Sequence, residues 1–168
     1  MQTIQLNLAA RPLIAEAWKP YGWLPVSDTD PADGLHTLHF EWNDPHVNLI
    51  HHSADEVARE GDSLICDRLF RHRTHTQALM VLDVDAMMVV APPGATFSDA
   101  EGLRQLEAFT IRPPDAFVLH EGTWHWGPFP IADSRVNLFN VQGLRYAEDN
   151  ECQLLTHLGV VLCSPAAG

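Results

Sequence analysis

Hydrophobic and polar residues alternate along most of this chain with a period of two, the spacing of strands, and helical spacing is confined to two short stretches. Over 47–52, Val47, Leu49 and His51 share one predicted strand face while Asn48, Ile50 and His52 share the other. Alternation runs on from 62 to 72, which predicts one long strand carrying Leu64, Cys66, Arg68, Phe70 and His72 on a single side. The runs 77–83 and 87–91 flank Asp83-Val84-Asp85-Ala86 and predict a hairpin. Further strands are expected at 35–42, 117–120, 123–126 and 136–141. A short helix is expected over 12–18, stopped by Pro20 and Gly22 because proline cannot continue the hydrogen-bond ladder. Ser98-Asp99-Ala100-Glu101 has the form of a capping box, and Leu103, Leu106 and Phe109 recur behind it at helical spacing. Clusters of Asp, Pro, Gly and Asn at 28–34, 43–45 and 113–115 mark loops and turns. Many short strands, punctuated by proline and glycine, with only two brief helices, predict an all-β barrel or sandwich.

Composition narrows this picture. At 168 residues, 46% hydrophobic and 19% charged, the chain suits one folded domain over 1–168 and not a disordered segment. A formal net charge of −12 argues against nucleic acid or an anionic membrane surface as partner, since both need a cationic face. A small anionic metabolite stays possible, because a few arginines can reverse the field inside a pocket. Lys19 is the lone lysine, so Schiff-base chemistry has a single candidate, remote in sequence from the histidine segments. Cys66, Cys152 and Cys163 are an odd set without CxxC spacing, which favours neither a disulfide framework nor a zinc ribbon. The first eight residues lack a basic stretch followed by a long apolar run, and no segment is long and apolar enough to span a bilayer. A cytoplasmic setting is the expectation.

Chemistry concentrates in two places. His120-Glu121-Gly122-Thr123-Trp124-His125-Trp126 sets two imidazoles on either side of a glycine, just after the apolar run Phe117-Val118-Leu119. A turn, a strand, a sharp bend and a histidine aimed into an apolar interior is how a small β-barrel presents a ligand or a general base. Upstream, Phe70-Arg71-His72-Arg73-Thr74-His75-Thr76-Gln77 leads into another apolar strand. Two such segments predict one site built across the interior.

Taken in order, Tyr21-Gly22, Arg71-His72, Thr76-Gln77-Ala78, Leu103-Arg104, the His120, Trp124, His125 segment and the late Asn150 and Cys152 resemble the ureidoglycolate lyase family over nearly the whole length. The 120–125 segment is similar to the second cupin motif, with His125 at its ligand histidine. The 77–83 segment resembles the second half of the first cupin motif, with Gln77 where that motif carries a metal-binding glutamate and His72 at its second histidine. The resemblance implies a cupin double-stranded β-helix barrel with short peripheral helices, an enzyme splitting ureidoglycolate to glyoxylate and urea, and a homodimer. The chain departs from the family pattern at Phe70, where a glutamate is usual, at Arg73-Thr74-His75, at Glu121 and at Trp126.

On this basis His72, Gln77, His120 and His125 are the expected catalytic residues, and Arg68, Arg71, His75 and Trp124 the expected substrate contacts. Arg68 shares a predicted face with Phe70 and His72, which makes it the preferred partner for a carboxylate. A divalent transition metal (nickel, zinc or iron) on His72, Gln77 and His125 is left open, since two imidazoles and a neutral amide are a weak donor set. No organic cofactor is expected. Trp124 and Trp126 also suit a core or rim role. His36, His39, His46, His51, His52 and His157 have no partner spacing that singles them out. Two other functions fit the same residues: a cupin isomerase or dioxygenase acting on another small acid, and a non-catalytic barrel that binds an acidic metabolite.

Overall fold

The computed structural model describes residues 4–132 and 134–166. Met1–Thr3, part of the stretch read for a leader, lie outside them. Its strands are β1 Ile4–Ala9, β2 Arg11–Pro12, β3 Gly22–Trp23, β4 Pro45–Ser53, β5 Arg59–Glu60, β6 Ser63–Ile65, β7 Arg68–Arg71 and β8 Gln77–Val81. They continue with β9 Ala86–Ala91, β10 Glu107–Ile111, β11 Ala116–Leu119, β12 Trp124–Pro130, β13 Arg135–Gly143, β14 Glu151–Leu154 and β15 Gly159–Ser164. Among the described residues helix is limited to α1 Ala15–Trp18 and two 3-10 turns, Ala54–Glu56 and Ala100–Gln105. No helix among the described residues is long and apolar enough to cross a membrane.

The strands form three sheets, ordered β1-β15-β6-β5, β14-β7-β12-β9-β10-β2 and β3-β11-β8-β13-β4. The six-stranded sheet is the middle layer. Its strand β9 is buried throughout, as expected of a strand covered on both faces. Met87, Val89 and Ala91 point into an apolar core shared with Leu64 and Cys66 of the four-stranded side and with Trp124, Trp126 and Leu103. Ala86, Met88 and Val90 point the other way, into a second core with Leu79, Val81, Phe117, Leu119, Val136 and Leu138 of the five-stranded sheet. Trp18 and Tyr21 close the end of that second core edge-on against Phe109. The all-β architecture follows the sequence pattern; among the described residues the sheets stack in layers and do not close into one barrel.

Several elements differ from their sequence-based expectation. The run 62–72 is two strands in two sheets, because the chain leaves the ladder at Cys66-Asp67 while the side-chain alternation carries on. The runs 77–83 and 87–91 do not pair with each other: β8 pairs with β11 and β13, and β9 with β10 and β12. The intervening turn carries the chain from one sheet to the next. Residues 35–42 form no extended strand, only a bridge between Phe40 and His75. The helix expected after Ser98 is a single 3-10 segment capped by the Asp99 side chain on the Glu101 amide at 3.0 Å. Phe109 belongs instead to β10, where tertiary pairing outweighs its helical spacing. Pro12 precedes the first helix and lies in β2.

Candidate active site

The second interior is apolar at one end and polar at the other. Along β13 the inward positions read Val136, Leu138, Asn140 and Gln142, and all four are buried. Gln77, at the start of β8, shares this inner face with Leu79 and Val81. Its amide nitrogen donates to Asn140 Oδ1 at 2.8 Å and Gln142 Oε1 at 3.3 Å, which turns its own oxygen away from both. That oxygen is buried with no hydrogen-bond partner. An orphaned acceptor is costly in an apolar interior and points to something absent from the folded chain itself.

Opposite Gln77, the middle sheet supplies imidazoles. His125 on β12 faces away from the neighbouring Trp124 and Trp126, which pack into the first core. It is placed there by the turn before it. The Thr123 amide donates to the His120 carbonyl at 3.2 Å, with Gly122 at φ 78° in the position of a type II turn that demands a positive φ. The turn is tied down by the residue before β3: the His120 amide and the Thr123 hydroxyl both donate to the Tyr21 carbonyl, at 2.8 and 2.9 Å. Gly22 is required beside it, because a Cβ there would stand 1.7 Å from the Val118 carbonyl oxygen.

His72, His75, Gln77, His120 and His125 line one hollow together with Leu119 and Thr123. The rings of His72 and His75 stack at 4.7 Å between centroids, and His72 lies 5.7 Å from His125. The Nδ1 of His72 bonds to the Asp149 carbonyl and that of His125 to the Thr123 carbonyl at 3.2 Å. A carbonyl only accepts, so in both rings Nδ1 carries the proton and Nε2 is left with its lone pair. His75 Nε2 is buried and unpartnered.

Burial lowers the pKa of all four histidines. His125 falls to about 3 and His75 to about 4, each lowered further by the neighbouring His72. His72 is lowered by burial against a partial rise from Asp149, and His120 by burial and by His36. The cluster is therefore neutral near pH 7, the state needed to accept a proton or to bind a metal.

The arginines lie elsewhere. Arg68 is exposed and paired with Asp67 at 2.8 Å; it stands at the start of β7, two residues further from His72 than Phe70, so the shared strand does not bring it to the hollow. Arg71 is buried but engaged by Glu151 at 2.9 Å, with its guanidinium 4.0 Å over the Trp124 ring. Trp124 itself is core, donating to the Ala95 carbonyl at 3.2 Å, so neither it nor Arg71 lines the hollow. No arginine or lysine is among the lining residues.

Phe70 stands directly across from His125 on β7, where a glutamate would have placed a carboxylate beside that ring. Glu121 faces outward and pairs with His39 at 2.6 Å. A roomier cavity of about 460 Å³ lies near the outer side of His120, lined by Trp23, Leu24, Val26 and Leu35; its titratable groups are Lys19, Asp33 and His36, not a cluster of imidazoles.

Sequence reasoning missed Asn140, Gln142 and Asp149. The first two were signalled by the inward face of β13 turning from aliphatic to amide. Asp149 had no such signal, since it acts on residues more than seventy positions away.

As a metal site the hollow offers the Nε2 atoms of His72, His75 and His125 with Gln77 Oε1, four neutral donors, two of them orphaned. Their chemistry fits a borderline transition ion better than a hard one. Among the described residues, however, no group of three or more His, Cys, Asp or Glu side chains is gathered as a preformed metal centre.

The family model described as ureidoglycolate lyase matches residues 33–159, a span that contains every residue of the hollow. A search of curated proteins finds no match.

Proposed function

This chain belongs to the ureidoglycolate lyase family, and we propose that its histidine hollow splits ureidoglycolate to glyoxylate and urea by acid–base catalysis. The substrate carbon bears a hydroxyl, a carboxylate and the ureido nitrogen. An imidazole Nε2 takes the hydroxyl proton, the oxygen electrons form the aldehyde carbonyl, and the carbon–nitrogen bond breaks toward urea. The departing nitrogen receives a proton from the imidazolium or from a second ring, so the step is balanced within the site. His125 and His72 are the proton carriers in this reading, since hydrogen bonds to backbone carbonyls hold both with Nε2 bare. Acid–base assistance of this kind is worth about 10²–10⁴-fold in rate. The observation that carries the reading is the convergence of His72, His75, Gln77, His120 and His125 on one hollow, inside the span matched by the family.

The substrate carboxylate needs a positive counter-charge, and the lining residues contain no arginine or lysine. We propose that a divalent transition metal (nickel, zinc or iron), held by His72, His125 and Gln77 with His75 as a fourth donor, supplies it; with those nitrogens engaged, the proton-carrying role passes to His120, the lining imidazole outside the donor set. Bound there, such an ion would neutralise the carboxylate and stabilise negative charge on the hydroxyl oxygen. The chain's own residues orient the substrate between Gln77, itself held by the β13 amides, and the imidazoles, and carry the protons. Purified protein is to be incubated with ureidoglycolate and glyoxylate assayed, after chelation and again with added nickel. Turnover restored by nickel supports both parts. Turnover that survives chelation removes the metal, and no turnover in either state removes the reaction.

A further inference from the structure

We infer that Asp149 is the positioning residue of this hollow, holding the imidazoles of His72 and His75 with Nδ1 protonated and Nε2 bare; the inference rests on the acid–base reading above. Asp149 acts on two rings with two different groups. Its backbone carbonyl accepts from His72 Nδ1. Its carboxylate accepts from the Thr74 hydroxyl at 2.5 Å and from the Thr74 and Arg73 amides at 2.7 and 3.0 Å, and then lies 3.7 Å from His75 Nδ1.

The tautomer of His75 follows from what surrounds Nδ1. Thr74 Oγ1 stands 3.5 Å away, but its proton is already given to Asp149, so toward His75 it can only accept. A second carboxylate, Asp44, approaches the same flank, next to Gly143, where a Cβ would come within 2.9 Å of His75 Nδ1. The groups named on that flank, the Asp149 and Asp44 carboxylates and Thr74 Oγ1, are all acceptors toward the ring, and the ring proton goes to Nδ1. His75 Nε2, buried and unpartnered, then presents a lone pair toward Gln77 and the other rings. One residue on the segment leading into β14 thus fixes the protonation pattern of the motif that directly follows β7, the strand β14 pairs with. This is the arrangement in which a partner on one ring nitrogen decides what the other can do.

Long-range proton–nitrogen NMR of the full chain near pH 7.5 reports each tautomer directly. In the wild type His72 and His75 are expected as Nδ1–H forms; an Nε2–H signal for His75 overturns the proposal without any variant. In Asp149→Asn the new amide turns a donor toward His75. That ring is expected to switch to Nε2–H while His72, held by a backbone carbonyl, keeps its form. Ureidoglycolate turnover should then fall by about 10²-fold or more in kcat, with KM changed less than about threefold. An unchanged His75 tautomer in the folded variant, or a loss confined to KM, sinks the assignment. If the wild type shows both Nδ1–H tautomers but never releases glyoxylate, the reaction is wrong and the clamp is not, so the two failures separate.

Discussion

The middle sheet has two interiors, and they are built to different rules. Toward the four-stranded sheet it meets an apolar core, including Met87, Val89, Leu69, Leu103, Trp124 and Trp126, that contains two thiols and has the Arg71 guanidinium lying over Trp124. Toward the five-stranded sheet the same strands meet an apolar half around Met88, Val90 and Leu138 and then a polar half around Gln77, Asn140 and four imidazoles. Both thiols on the first side, Cys66 and Cys163, are pushed up in pKa by burial, which leaves them inert there. On the second side burial instead lowers the histidines and leaves orphaned acceptors. The first interior is organised for cohesion. The second gives up some cohesion to hold open polar atoms.

The comparison can be broken most sharply at His125. His125→Ala is expected to lower kcat on ureidoglycolate by about 10²–10⁴-fold, with little change in the urea midpoint. A loss of folding as large as the loss of rate would mean that the ring is structural. Leu69→Ala, in the first interior and fully buried, should do the reverse. A loss of about 2–5 kcal/mol in unfolding free energy is expected, with turnover per folded molecule preserved.

The next effect is a pH dependence belonging to the second interior alone. His75 is lowered to about 4 in the folded state and returns to about 6.5 when unfolded. Below pH 6.5 the unfolded chain therefore binds the extra proton first. Stability falls as pH drops from about 6.5 toward 4 and levels off below that, with a slope of at most about 1.4 kcal/mol per pH unit for this group. His75→Phe should remove that part of the slope in chemical unfolding at pH 4.5, 5.5 and 6.5; an identical slope in the variant would deny the ring its buried, neutral state. The smallest effect is expected at Arg68→Ala. Its exposed pair with Asp67 should move neither stability by more than about 0.5 kcal/mol nor turnover measurably, and a large rise in KM would return Arg68 to the substrate.

Much of the second interior was legible from the chain. The glycine turn and the period-two placement of His125 followed from local rules, and the pairing of the two histidine segments followed from their order. The alternation over 47–52 is reproduced, with Val47, Leu49 and His51 exposed and Asn48, Ile50 and His52 half-buried. What failed were statements about which strand pairs with which. Alternation through Cys66-Asp67 says nothing of a change of sheet, and the turn at 83–85 does not reveal that its flanks join different layers. The parallel pairing of β1 with β15 joins the two ends of the described chain, a contact no local pattern announces. Arg68 was misplaced for a different reason: it shares β7 with Phe70 but stands at the end of that strand away from His72, and a shared face does not fix reach. Asp149 was unreadable because half of its action runs through a backbone carbonyl, which any residue type possesses.

The full burial of β9 carries one last consequence. Val89 and Val90 are adjacent in the chain yet look into opposite interiors, and Val90 sits in register with His125. Codon by codon, then, a single strand alternates between two masters: swaps at the odd positions are felt at the melting transition, swaps at the even ones nearer the reaction. A library restricted to the even positions could reshape substrate preference, and because Met88 and Val90 are themselves fully buried it would register in heat tolerance as well.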